Sequence, residues 1–176
     1  VSSVGVDIGV DTAAAARRSI AKQGERISAA RKRASRVAIL AKRNVRARRL
    51  ALTGVRPAQT YGHTAVGMAP TSIEACKSNL LAATGLASAG VCGTTVMRWC
   101  FRSGKYTNAN ADPRIAIPIE QISSWIQLWL RSDKAKKRRF ANNCPTNYKK
   151  LAKSPRPWSA VNGPVAATIA TLLGMG

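Results

Sequence analysis

The sequence predicts a mainly α fold, and three observations carry that prediction. Apolar residues recur at helical spacing over most of the 176 residues, capping and breaking residues punctuate those stretches, and the one alternating segment is short. The expected organisation is a strand region at 1–11, a basic helical region at 12–110 and a smaller distal helical region at 111–176.

The first element is the alternating one. Val4, Val6, Ile8 and Val10 alternate with Gly5, Asp7 and Gly9, which suits a short strand with one buried face that needs a partner strand. Asp11 or Thr12 then supplies an N-cap for a helical pattern from about Ala13 to about Ala51. At a helical period, Ile20, Ile27, Ala30, Ala34, Val37, Ala41 and Val45 share one sector of roughly 100°. Arg18, Lys22, Lys32, Arg33, Arg36 and Arg43 fall opposite. Ile39 and Leu40 lie outside the apolar sector and Arg48 lies inside it, so a break is expected, at Gly24 or Asn44. The last piece is expected to end at Thr53-Gly54, where glycine suits a C-terminal cap.

Pro57 to Met68 reads as a turn and extended segment. Pro70-Thr71-Ser72 then opens a helix with a capping box of Thr71 and Glu74, ending near Gly85. Gly90 to Asn110 is rich in Gly, Thr, Ser and Asn and reads as irregular structure or a further short helix, with Val96, Trp99 and Phe101 supplying apolar contacts. Asp112-Pro113 begins the distal region. From Pro118, Ile122, Trp125, Ile126, Trp129 and Leu130 recur at helical spacing, and two tryptophans on one face read as core rather than as a base-stacking platform. A basic cluster follows at Lys134, Lys136, Lys137, Arg138 and Arg139, continued by Lys149, Lys150, Lys153 and Arg156. Asn162-Gly163-Pro164 opens a last helix carrying Val165, Ile169, Leu172 and Leu173.

Charge sets the function class. The chain holds 29 Lys and Arg against 7 Asp and Glu, a formal net charge of +22, and such a molecule repels itself unless a polyanion relieves it. Arg17 to Arg56 carries 14 of the 29 basic residues and a single acid, Glu25, so most of the i,i+4 pairs of an ordinary solvated face cannot form. RNA or DNA is the expected partner. The residues expected to meet phosphates are Arg18, Lys22, Lys32, Arg33, Arg36, Arg43, Arg46 and Arg49, with Lys136, Lys137, Arg138 and Arg139 in the second cluster. An apolar content of 45% is too high for a disordered basic tail.

Other classes find little support. No apolar run reaches the roughly 20 residues that cross a bilayer, Gly163 to Gly176 coming nearest, so neither a membrane partner nor a small-molecule substrate is expected. Cys76, Cys92, Cys100 and Cys144 form no CxxC pair and His63 is the only histidine, so reduced thiols in an intracellular protein are expected rather than a zinc site. Two-metal polymerases and nucleases need converging carboxylates. The seven acids here, Asp7, Asp11, Glu25, Glu74, Asp112, Glu120 and Asp133, are scattered, and the closest pair, Asp7 and Asp11, reads as strand-end and helix-capping residues. No acid stands near His63 in sequence, and neither GxxxxGK[ST] nor GxGxxG occurs. No catalytic residue and no cofactor is therefore expected in this segment. Because it begins with Val, it is expected to belong to a longer protein.

The order of features adds a resemblance. A VGVDIGVD strand, a basic helical stretch and then Thr53-Gly54-Val55-Arg56-Pro57-Ala58-Gln59-Thr60-Tyr61-Gly62 resemble the region downstream of the catalytic palm in reverse transcriptases of non-LTR, LINE-type retroelements. There an LGV-containing strand precedes basic helices and a P-x-x-x-YG segment; here Ile8-Gly9-Val10 takes the place of Leu-Gly-Val. The resemblance covers the first half of the chain. Asp112-Pro113, the tryptophan-bearing helix, and Trp158 followed by Asn162-Gly163-Pro164 are similar to the distal part of such proteins. The resemblance implies that Val4 to Val10 packs against a palm and that the helices from Arg17 to Arg56 grip template and primer like a thumb or connector. It also implies that the Y-x-D-D acids and their Mg ions belong to a palm outside this segment, and that the protein works in the nucleus or in a ribonucleoprotein particle. The alternative is a structural RNA-binding protein of such a particle, folded on RNA.

Overall fold

The computed structural model describes residues 2–3, 6–7, 12–86, 90–101 and 111–175, with side chains from residue 21 onward. It is mainly α. Ser2–Ser3 (β1) pairs antiparallel with Val6–Asp7 (β2), Ser2 opposite Asp7 and Ser3 opposite Val6. The rest of the strand expected over Val4 to Val10, and the cap expected at Asp11, lie outside the described residues. The chain divides into two compact units: one comprises residues 23–61 and 70–117, the other 1–22, 62–69 and 118–176.

The part of the long helix α1, Thr12–Arg43, from residue 23 onward supplies one wall of the first unit. Its buried side chains from residue 23 onward, Gln23, Ala30, Ala34, Val37 and Ala41, step by sevens, fours and threes, so one narrow stripe faces inward. Three of the five are alanines, whose small side chains let a neighbouring backbone approach closely. The expected break occurs at Asn44 and not at Gly24, through which the helix runs intact. Asn44 is extended (φ −140°, ψ 111°) and its Oδ1 accepts from the Arg46 N–H at 3.0 Å, capping a 3₁₀ turn at Val45–Arg48. That turn carries Val45 off the apolar sector, leaving it 64% exposed and correcting its placement in the core.

Helical structure does not stop at Thr53-Gly54. A π turn at Ala51–Val55 leads into α2, Arg56–Thr60. Pro57 sits in the first turn of α2, where a missing N–H costs nothing. The segment from Pro57 to Met68 is thus two short helices rather than an extended stretch, with α3 at His63–Val66 following a turn at Tyr61 and the left-handed Gly62 (φ 81°), and Gly67 and Met68 outside any helix. The helix α4, Pro70–Ala83, places Thr71 inside the helix, so the expected capping box is not made; Glu74 pairs with Arg114 instead, its Oε2 accepting from Nη2 at 2.7 Å. The helix α4 gives way to a turn at Gly85 (φ 71°), as expected. The region after Gly90 contains a short helix α5, Gly93–Cys100; residues 102–110 lie outside the described residues. Val96 and Phe101 are buried, but Trp99 is 80% exposed, against its expected apolar contact.

The core of this unit gathers Ala30, Ala34, Val37, Leu52, Val55, Leu80, Met97 and Phe101. A buried polar network pins the helices around it. Gln59 Nε2 donates to the Cys76 carbonyl at 3.1 Å, while Asn79 Nδ2 donates to Gln59 Oε1 at 3.1 Å and to the Ile27 carbonyl at 3.0 Å. α1, α2 and α4 thus share bonds that are strong because water is excluded.

The helix α6, Pro113–Arg131, starts earlier than Pro118 because Asp112 Oδ1 accepts from the Arg114 N–H at 3.0 Å and Pro113 occupies the first position. In the second unit Ser132 and Asp133 separate the end of α6 from α7, Lys134–Ala152, and a 3₁₀ turn at Pro157–Ala160 leads to α8, Gly163–Leu173, opening where Asn162-Gly163-Pro164 predicts. Its core is Leu151, Val161, Ala166, Ala167 and Ala170, with Trp158 packed against it. α8 buries its alanines rather than its leucines; Leu172 is 52% and Leu173 38% exposed.

Candidate nucleic-acid interface

The basic face of α1 follows from its core stripe. With Ala30, Ala34, Val37 and Ala41 turned inward, Arg31, Lys32, Arg33, Arg36, Lys42 and Arg43 are exposed. Gly24, Glu25, Ser28, Ala29, Lys32, Arg33 and Arg36 line a shallow trough along this helix. The small side chains at 24, 28 and 29 keep its floor low, and three cations stand at one end. Of the other predicted contacts, Arg46 and Arg49 are exposed and Lys22 is half-buried. The Arg18 side chain lies outside the described residues.

Several neighbouring cations serve the fold. Arg48 Nε donates to the Thr84 carbonyl at 3.0 Å, where a cation suits the carbonyl end of α4. That bond explains why Arg48 falls within the apolar sector. Arg56 is buried. The Arg26 guanidinium lies 5.0 Å from the centre of the Tyr61 ring, and its Nη1 donates to the Tyr61 carbonyl at 3.0 Å.

The second cluster lies in the second unit, on the first turns of α7. Lys136, Arg138 and Arg139 are exposed and Lys137 is half-buried. Asp133 caps the helix, its Oδ1 accepting from the Lys136 N–H at 2.7 Å, and that backbone bond first of all holds its carboxyl below the ordinary range. Beside this cluster lie three rings, two of which, the tryptophans, the sequence assigned to core. Trp125 and Trp129, one helical turn apart on α6, have centroids 6.2 Å apart, and Phe140 of α7 lies 5.1 Å from Trp125 and 6.5 Å from Trp129. All three are half-buried, so the tryptophans pack against one another and Phe140 without being fully enclosed. The basic run just after the tryptophans was the one sequence signal that pointed outward.

The acids serve as partners of cations and as caps. Lys77 Nζ donates to Asp112 Oδ2 at 3.0 Å and to Thr94 Oγ1 at 2.8 Å, all within the first unit. The Arg114 guanidinium, chiefly by hydrogen bonding, lowers the Glu74 carboxyl. The fold brings Glu120 within 3.1 Å of His63 Nε2, a pairing invisible in the sequence order. Among the described residues no group of His, Cys, Asp and Glu gathers in a way that could hold a metal ion, and no helix is long and apolar enough to cross a membrane. Asp7 and Asp11 have side chains outside the described residues. The cysteines differ: burial pushes the Cys76 thiol up to about 12, whereas exposed Cys92, at the start of α5, is lowered by hydrogen bonds from the Thr95 N–H and hydroxyl and the Thr94 N–H. No protein-family model matches this chain, and neither a curated protein nor a solved structure matches it.

Proposed function

We propose that this chain binds RNA or DNA by its phosphates, as a non-catalytic segment of a non-LTR retroelement reverse transcriptase that grips template and primer. One observation carries the reading. The exposed face of α1 bears Arg31, Lys32, Arg33, Arg36 and Arg43, and from residue 23 to Tyr61 a single acid, Glu25, stands against them. A solvated face of ordinary composition would mix both signs. The retroelement assignment rests on the resemblance of the first half of the chain, and the polymerase chemistry of such a protein would reside in its palm.

The test is a titration of duplex DNA and of RNA/DNA hybrid at several salt concentrations. If about six phosphates are engaged, log affinity falls with log salt at a slope of roughly −5 on duplex DNA. Replacing Lys32, Arg33 and Arg36 by Gln, a good helix former, reduces the size of that slope by roughly 2 to 3 while leaving the helical circular dichroism in place. A slope near zero in the unaltered chain defeats the reading.

A further inference from the structure

Trp125, Trp129 and Phe140 form an aromatic cluster that neither core of the chain claims. No pair of these rings stacks in parallel; their planes meet at 47°, 66° and 35°. The edge-to-face contact of Trp125 with Phe140 occupies one ring face, the other two pairs are tilted at 6.2 and 6.5 Å, and all three residues retain some solvent exposure. Beside them on α6, Ile126 is 50% and Leu130 69% exposed, so apolar surface continues past the rings. Surface of this kind in a protein with a net charge of +22 calls for an occupant.

The surrounding charge identifies it. Arg131, Lys134, Lys136, Arg138 and Arg139 are exposed around the junction of α6 and α7, with Asp133 the one acid among them. Lys136 and Lys137 precede Phe140 by four and three residues, so they share its face of α7 one turn nearer the helix start. Three lysines in the first turns of α7 stand at the positive end of the helix dipole, where cations oppose stability. Asp133 caps this end and pairs with Lys136 Nζ at 3.4 Å, which leaves one carboxylate against three lysines, an excess that a phosphate would offset. A second copy of this chain would bring like charge against like. A duplex would meet the lysines and leave the rings idle, because its bases are already stacked. A single strand offers both phosphates and unstacked base faces.

We infer that the Trp125–Trp129–Phe140 cluster, with the lysines at the start of α7, is a stacking site for single-stranded nucleic acid. The inference rests on the nucleic-acid reading above and adds the strand state and a second point of contact. Bases stack on the indoles while Lys136 and Lys137 hold the adjoining phosphates.

The experiment compares oligo(dT) with the oligo(dT)·oligo(dA) duplex, by fluorescence anisotropy at one salt concentration, on the unaltered chain and on Trp125→Leu and Trp129→Leu. Each substitution lowers affinity for oligo(dT) about tenfold, the loss of one stacked base, and changes duplex affinity less than about twofold. Trp125→Phe and Trp129→Phe retain most of the single-strand affinity. Equal losses on both forms, or none on either, overturn the inference. Because leucine at these positions also alters packing, a second measurement uses only the unaltered chain: photocrosslinking to oligo(dU) bearing bromouracil, with the modified peptide mapped by mass spectrometry. Crosslinks at Trp125, Trp129 or Phe140 support the site, and crosslinks confined to other residues overturn it. A chain that binds duplex tightly yet shows no tryptophan dependence on oligo(dT) defeats this inference alone, whereas one that binds neither form defeats the phosphate-binding reading as well. If the leucine variants instead abolish self-association of the chain with oligo(dT) binding intact, the face is a protein interface and the inference fails.

Discussion

Lys77 and Asp112 bury their charges together, with side chains 7% and 5% exposed, and Thr94 completes the ammonium's hydrogen bonding within the first unit. A pair of this kind contributes less by its mutual attraction than by the cost of leaving either member alone, since an unpaired buried ion forfeits its hydration. Asp112→Ala is therefore expected to destabilise the chain by about 3–5 kcal/mol, read as a fall in the urea midpoint. Asp112→Asn keeps an oxygen for the Arg114 N–H but removes the charge, so it isolates the ionic part and retains the helix cap. If Asp112→Ala unfolds at the same urea concentration as the unaltered chain, the pair is not buried as described. The sequence marked Asp112-Pro113 as the start of the distal region, with the helical pattern from Pro118, and held no sign of Lys77. One cation among 29, 35 residues away, becomes distinctive only when folding takes it out of water. His63 and Glu120 teach the same lesson, because pairing across the fold leaves no periodic trace in the chain.

Two glycines make opposite predictions about the elements that hold them. Gly24 lies within α1, and a Cβ built there meets nothing within 4 Å, so Gly24→Ala should stabilise by about 0.5–1 kcal/mol through helix propensity alone. Gly67 ends α3 at φ 74° and ψ −179°, a region open almost only to glycine, and a Cβ there would fall 2.7 Å from Trp158 Cζ3 and 3.1 Å from Ala167 Cβ. Gly67→Ala should cost at least about 1–3 kcal/mol, and opposite shifts of the two melting temperatures are the measurement. A stabilising Gly67→Ala would contradict the close packing of α3, Trp158 and α8. At this scale the period of the core stripe was legible, because Ala30, Ala34, Val37 and Ala41 keep a regular repeat, and so was the break at Asn44. The stretch from Ala51 to Val66 was not. A π turn and two short helices fit around Pro57 and Gly62, residues that read locally as breakers but serve here as a first-turn proline and a left-handed link. For the tryptophans of α6, helical spacing reports that they share a face, and leaves open how far another element covers it; Phe140 of α7 covers it in part. The basic faces, by contrast, were readable at once, because exposed cations need no partner in the fold.

For the molecule as a whole, a formal charge of +22 acts on folding and on binding with opposite dependence on salt. Compacting 29 cations with 7 acids raises the self-energy of the folded state above that of the expanded chain, and the buried Lys77–Asp112 pair is poorly screened by ions. Raising NaCl from about 10 mM to about 150 mM shortens the screening length from about 30 Å to about 8 Å, which weakens repulsion across the surface while leaving that pair nearly intact. The melting temperature of the free chain should therefore rise over that range. Nucleic-acid affinity should fall by several orders of magnitude over the same interval, because each counterion released gains less entropy in more concentrated salt. In the presence of excess duplex the two effects compete. Bound ligand stabilises the folded chain in proportion to the logarithm of its concentration over its dissociation constant, so the salt dependence of melting should reverse sign when duplex is added. Circular dichroism melts with and without duplex, at matched salt, decide the matter. A melting temperature of the free chain that falls with salt would mean that attraction among surface charges outweighs their repulsion, which 7 acids against 29 cations are too few to supply.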